Sequence, residues 1–448
     1  MIKRHVYVDF SKKCGKIYPV GCANTGPLFG IDLSVDFSEE YRKMSVPYVR
    51  THNVEHPHGG GRYVDIHNVF PVWELDERFE ASYNFAPTDK YLSAIKAAGG
   101  EIFLRIGESS DPYEIKPYLA PPRDPMKWAR IAERIIRHYN NGWARGFKHG
   151  IRYVEIMADV DDPRGWSGSR VEFYELYRTV STYLKEKFPR LKIGGYSSGG
   201  FFSLNHFNAT DIQRGYVDFL EGFLEYIGSP RHRAPLDFFT WKCFAETPEE
   251  LSLHANYARN YLDQSGFRKT ESIISEFNLA SAAGGEMHLD RDYPAALMTS
   301  LIIAAKSNIN MMFYADSDPR RSGCALYSVE DRTSKRLYAP YRAMEAFGEL
   351  VRLGGAVDVS EDFRREIYSL AATDGTSGAL LLVTRDYSGV IELGVKGMEL
   401  STYSIRGLIG GGERGAGFTT SAENIAAKDN KVLLRTGKNE VYLITFAG

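Results

Sequence analysis

Between residues 17 and 350 the chain alternates eight times between a short apolar, strand-like run and a longer amphipathic, helix-like one. The strand-like runs cover residues 17–24, 46–53, 101–108, 151–159, 191–198, 236–243, 271–278 and 309–316. Helical patterns such as 125–139, 171–188, 249–264 and 293–306 lie between them. Several open with helix-start residues, including Thr247-Pro248-Glu249-Glu250 and Thr88-Asp89-Lys90. Strands separated by helices run parallel, because each helix carries the chain back to the edge it left. Eight such units predict a closed (β/α)8 barrel. A doubly wound open sheet is the alternative, but no Gly-rich phosphate loop follows the first strand.

After Leu353-Gly354-Gly355 the pattern changes to short alternating segments, 367–371, 379–384, 390–395, 402–408, 431–435 and 440–445, with turns such as Asp374-Gly375-Thr376-Ser377-Gly378 between them. This predicts a C-terminal antiparallel β-sandwich. Residues 5–10 alternate in the same way and are expected to add a strand to it, bringing the termini together. The expected division is a barrel over 16–350 and a sandwich built from 1–15 plus 351–448, in keeping with a length of 448 residues.

A formal net charge of −2 gives no electrostatic reason for a nucleic-acid partner. No run approaches the roughly 18–20 apolar residues that cross a bilayer, so no membrane partner is expected. The start, MIKRHVYVDFSKK, lacks an apolar leader core. A cytoplasmic location is expected if Met1 is the natural start, a periplasmic one if a leader has been removed. Cys14, Cys22, Cys243 and Cys324 match no metal spacing and are expected as free thiols. No cofactor motif is visible, and the sequence does not fix an oligomeric state.

In a barrel of this kind the chemistry sits where strands end and loops begin. The residues there are Asn24, Arg50 with His52, Glu108, Asp159, Ser198, Trp241 with Lys242, Glu276 with Asn278, and Tyr314 with Asp316. Glu276 and Asp159 form a candidate carboxylate pair on separate strand ends, which glycosidic bond cleavage requires. Arg50, His52, Trp241, Lys242, Asn278 and Tyr314 are the candidate substrate-binding residues, as donors to hydroxyls and rings to stack on. Arg50 and His52, two apart on a strand, point the same way; the alternative role is a structural pair at the barrel mouth. His56 and His58 have the spacing to chelate, but no third ligand set is evident and no metal is expected.

At these residues the chain resembles the β-xylosidase and α-L-iduronidase family, glycoside hydrolase family 39. The resemblance runs through SYNFAPTDKYLSAIKAAGG, FLRIGES, RHYNNGW, IRYVEIMAD, FPRLKIGGYSS, LDFFTWK, IISEFN and NMMFYAD. It implies retaining cleavage of a carbohydrate substrate, with Glu276 of Ser275-Glu276-Phe277-Asn278 as nucleophile. The family carries Trp-Asn-Glu-Pro on its fourth strand, where this chain reads Met157-Ala158-Asp159-Val160. The acid/base is thus shortened to Asp159 and the Asn is replaced by Ala158. Lys242 replaces the His usual on the sixth strand.

Three readings follow from those departures. Asp159 serves as the acid/base of a working retaining glycosidase on an unusual sugar whose 2-position needs no Asn; or Asp161 or Asp162 swings in from the loop; or the chain binds sugar without cleaving it. Glu155, in phase with Asp159 but four residues deeper, suits a packing network instead. Lys242 either neutralises Asp159 or Glu276, or pairs with an acidic sugar such as a uronate.

Overall fold

The computed structural model describes residues 3–447 apart from 31, 53–62, 109–118, 280–289, 316–324, 330–333, 362–364, 409–418 and 427–429. Eight strands close into the expected barrel. In chain order they are Cys22–Asn24, Tyr48–Arg50, Glu101–Ile106, Tyr153–Ile156, Lys192–Ser198, Phe238–Ala245, Glu271–Leu279 and Met311–Tyr314. Every neighbouring pair is parallel. A helix follows each strand, the last being Ala339–Arg352. Local chemistry starts these helices: Ser169 accepts from the Glu172 amide while the Glu172 carboxylate accepts from Ser169, and Thr210 and Gln213 repeat the exchange.

The lower end of the barrel is plugged by inward-pointing Tyr48, Phe103, Tyr153, Phe238 and Phe313, all buried. Phe103 packs against Tyr153, Phe238 and Phe313 with ring centroids 5.4, 5.2 and 5.0 Å apart. That packing leaves only the upper end, where the strands terminate, open to a ligand.

The expected sandwich takes the form of one nine-stranded sheet. Its first strand is Lys3–Lys16, which pairs parallel with Gly389–Lys396; the other pairings are antiparallel. The sheet curls on a core of its own, in which Val6, Val8, Leu380, Leu382, Ile391, Val432 and Ile444 meet. Alternate residues of the same strands, Ala379, Leu381, Val383 and Leu443, belong to the barrel's cluster. Burial on both faces explains why Ser377–Thr384 reads as a continuous apolar run.

Candidate active site

Irregular strand ends aim the side chains. The seventh strand matches Ile274 to Trp241 and Glu276 to Lys242, leaving Ser275 as an extra residue in the ladder. Such a bulge rotates the next residues of its strand and re-aims their side chains, so Glu276 reaches the mouth while Phe277 packs outward. The fourth strand ends at Ile156, and Met157 and Asp159 both take left-handed backbone, at φ 61° and 59°. The Met157 amide donates to the Ile106 carbonyl at 2.8 Å and the Asp159 amide to the Tyr196 carbonyl at 3.1 Å. Gly165 wraps closely over this turn; a Cβ there would lie 2.2 Å from the Asp159 carbonyl oxygen.

Six groups converge at the mouth. Carboxylate oxygens of Asp159 and Glu276 and a ring nitrogen of His52 lie within 4.8 Å of one another. Lys242 Nζ bridges the two acids, 2.7 Å from Asp159 Oδ1 and 3.2 Å from Glu276 Oε1. His52 Nε2 is 3.3 Å from Glu276 Oε1 and 3.9 Å from Asp159 Oδ2. Arg50, fully buried, donates through Nε to Glu155 at 2.8 Å and through Nη1 to Asn24 at 3.2 Å and Glu276 at 3.4 Å. Arg50 Nη2 has no hydrogen-bond partner among the described residues.

The charges reinforce one another. Burial opposes the charge of Lys242, but Asp159 and Glu276 more than offset it and raise its pKa. Burial likewise opposes the charge of Arg50, and Glu155 and Glu276 raise it. Burial raises Glu155, against the pull of Arg50. Glu155 is therefore a buried ion-pair partner of Arg50 below the site, the packing role expected of it.

The two alternative acids differ sharply. Burial would raise Asp162, but Arg164 holds its carboxylate through hydrogen bonds of 2.6–3.2 Å and lowers it; Tyr216 donates to it as well, at 3.2 Å. Asp162 is thereby locked away from the mouth. Asp161 accepts from Ser198 Oγ at 2.7 Å and the Gly199 amide at 2.9 Å, and burial pushes it up to about 7. Glu108 pairs with His67 beside the site, and its burial raises it to about 6.

Among the expected binding residues, Arg50, His52 and Lys242 do meet the carboxylate pair. Trp241 does not, which corrects the expectation that it walls the site. It precedes inward-facing Lys242 by one residue and so faces outward. It is fully buried, donates to Ser272 Oγ at 3.0 Å and packs on Phe201. Asn278 and Tyr314 instead brace the strand ends through Tyr293, whose hydroxyl lies 2.6 Å from Asn278 Oδ1 and 2.8 Å from Tyr314 Oη. Asp316, His56, His58 and Cys324 lie outside the described residues. Sequence reasoning missed Phe244, two residues past Lys242 on the same face and 43% exposed; strand parity alone would have found it.

Three groups among the described residues have donor atoms close enough to share a cation: His52–Asp159–Glu276, Asp65–His67–Glu108 and His206–Glu246–Glu250. In the first the Lys242 ammonium already bridges the two acids, and in the second Arg105 pairs with Asp65 at 2.6 Å. The chemistry built here is therefore that of an acid pair held by the chain's own cations.

Fold and mouth together define a closed (β/α)8 barrel with a buried acid pair where its strands end. Over the whole of both chains it is similar to a glucosidase from Croceicoccus marinus, with TM-score 0.77 and 21% identity. It is similar to a monomeric β-xylosidase from Caulobacter crescentus CB15 over 99% of each chain, with TM-score 0.73 and 14% identity. A GH39 enzyme from Xanthomonas axonopodis pv. citri matches with TM-score 0.70 and 14% identity, over 99% of this chain and 97% of that one. At such identities the likeness is one of fold. No family model matches the chain. A stretch of 74 residues is 27% identical to the alpha-1,4-L-rhamnosidase of Formosa agariphila, spanning 16% of this chain and 15% of that protein.

Proposed function

We propose that the chain is a retaining glycoside hydrolase in which Glu276 is the nucleophile and Asp159 the acid/base. The observation that carries the reading is the approach of their carboxylate oxygens to within 4.8 Å. Retaining enzymes hold the two groups about 5–5.5 Å apart, whereas inverting enzymes need about 6.5–9.5 Å to admit a water. In this mechanism Asp159 protonates the leaving-group oxygen as Glu276 attacks the anomeric carbon. A water, deprotonated by Asp159, then releases the sugar from Glu276. Arg50 and His52 orient Glu276.

The favoured substrate is a neutral β-linked glycoside, such as the names of the similar glucosidase and xylosidases suggest. A uronate would call on Lys242 and Arg50, yet both already serve carboxylates of the chain itself. Ala158 offers no hydrogen bond where the family's Asn would bind the neighbouring hydroxyl. Contacts of that kind, which strengthen in the transition state, are worth several kcal/mol together, so turnover is expected to be slow. The second reading, a protein that binds sugar without cleaving it, is favoured by the ion pair that ties Asp159 to Lys242.

A nitrophenyl glycoside panel separates the two: β-xyloside, β-glucoside, α-L-arabinoside, β-glucuronide and α-L-rhamnoside, the last because of the rhamnosidase match. Turnover abolished by Glu276→Ala supports the enzyme. Azide that fails to raise the rate of Asp159→Ala on an activated substrate removes Asp159 from the acid/base role. Calorimetric binding of an oligosaccharide with no product on long incubation sinks the hydrolase and leaves the binder.

A further inference from the structure

The rim between the fifth and sixth barrel strands carries apolar surface that the proposed cleavage chemistry does not use. Phe244 is 43% exposed, Leu204 39%, and Phe207 is bare. Single exposed hydrophobic residues are ordinary on any protein. Phe244 differs in standing two residues beyond Lys242 on the same strand. Phe244 lies on the inward face of its strand, one step nearer solvent than Lys242. Across the ladder it faces Asn278 as Lys242 faces Glu276.

The loop that carries Phe207 is clamped along this same stretch. Gly200, at φ 93°, sits so tightly on the sixth strand that a Cβ would lie 2.1 Å from the Lys242 carbonyl oxygen. Six residues on, His206 lies 3.7 Å from Glu246 and 3.1 Å from Glu250. Phe202 stacks on His206 with ring centroids 3.9 Å apart, and Asn205 Oδ1 lies 2.8 Å from His254 Nε2. The loop is thus tied on either side of Phe244, and rings held by such a frame lose little freedom when a ligand covers them.

The direction of the ligand follows from the acid pair. Asp159 and Glu276 flank the scissile bond from the fourth and seventh strand ends, so a glycan must pass between them. On one side lie Asn24, Arg50 and His52, polar and each at most 3% exposed, which offer no open surface to a second ring. On the other lies the open aromatic rim. We propose that Phe244, with Phe207, is a stacking platform for a second sugar ring on the leaving-group side, so that the preferred substrate is a glycan of at least two rings. The proposal rests on the glycosidase reading for its direction, and on the rim itself for its binding. The C–H face of a pyranose is apolar, and covering about 50–60 Å² of apolar surface corresponds to roughly a tenfold gain in affinity.

The test is ligand binding by saturation-transfer NMR and calorimetry with xylobiose, cellobiose and gentiobiose against xylose and glucose. It is run on the native chain, Glu276→Gln, Phe244→Ala, Phe207→Ala and Phe244→Trp. At least one disaccharide should bind about tenfold more tightly than its monosaccharide to the native chain and to Glu276→Gln. Phe244→Ala should remove that advantage without changing monosaccharide affinity or melting temperature, Phe207→Ala should reduce it, and Phe244→Trp should keep it. An advantage intact in Phe244→Ala, or absent from the native chain, overturns the platform. A disaccharide that binds through Phe244 but is never cleaved overturns the hydrolase instead.

Discussion

Lys242→Met tests whether one buried ammonium holds two facing carboxylates together. Asp159 and Glu276 present oxygens no more than 4.8 Å apart. At an effective dielectric constant of about 20, two negative charges at that separation repel by ~3.5 kcal/mol. Any shorter distance makes that repulsion larger. Lys242, 2.7 and 3.2 Å from the two acids, overcomes it; each attraction is ~5–6 kcal/mol on the same scale. Methionine keeps the apolar stem and removes the charge. The two acids are then left facing one another with no ammonium between them, which destabilises the folded chain. His52 and Arg50 remain nearer to Glu276, at 3.3 and 3.4 Å, so Asp159 should lose the more by it.

The expected result is a loss of about 3–5 kcal/mol in urea unfolding, the scale on which removing one partner of a buried ion pair destabilises a protein. A Lys242→Met variant within about 0.5 kcal/mol of the native chain would falsify the assignment of Lys242 as the group that holds the two acids together.

Asp161→Asn should flatten the dependence of stability on pH. Asp161 is raised from 3.8 to about 7 by burial, so the native chain loses stability from this group as pH climbs through that window, while Asn does not titrate; the variant's melting temperature relative to the native one should rise between pH 4 and 7 and then level. Trp241→Phe should cost about 1–3 kcal/mol in urea unfolding, through the unpaired Ser272 hydroxyl and lost packing, and leave KM unchanged; a raised KM with intact stability would return Trp241 to the binding surface. Asp159→Glu, which supplies the acid that the resemblance implies, should lower kcat/KM on a poor leaving group by about a hundredfold, the cost of roughly 1 Å of misplacement; a gain in rate would show that the shorter acid is merely a defect.

Much of this molecule is legible in its sequence, for physical reasons that differ from place to place. The barrel is legible because its strands and helices carry distinct hydrophobic periods. Glu276, Arg50 and His52 are legible because they stand at strand ends where a barrel exposes polar groups. Strand parity, used alone, separates Trp241 from Lys242, since neighbours on a strand face opposite ways; taking both as site residues ignored it. Parity in turn fails at Glu276, because the extra residue Ser275 shifts the phase, and nothing in Ile274-Ser275-Glu276 announces a bulge. Two sheet strands, Gly355–Glu361 and Thr419–Ala426, escaped the sequence reading. The second is almost entirely exposed, so it carries no apolar alternation to detect.

The departures at positions 159 and 242 from the pattern that the resemblance implies are best understood as one change. Taken alone, an acid one methylene shorter withdraws by on the order of an ångström, a loss that can cost about a hundredfold in rate. The structure shows no such withdrawal: oxygens of Asp159 and Glu276 come within 4.8 Å. Left-handed backbone at Met157 and Asp159, with the Asp159 amide tied to the Tyr196 carbonyl, places the shorter side chain there. At that distance two bare carboxylates would repel, and a neutral imidazole at position 242 would not offset the repulsion. An ammonium does, provided it stays charged, and Asp159 and Glu276 raise the Lys242 pKa above its ordinary value despite burial. The same cation that permits the close pair also holds Asp159 through an ion pair of 2.7 Å. In the proposed mechanism, protonating a leaving group requires a ligand to loosen that contact. A sugar ring entering between the two acids, steadied by stacking at Phe244 just above Lys242, is placed to do so. Reaction in this site is therefore expected to depend on occupancy of the leaving-group side more strongly than in an enzyme whose acid stands free.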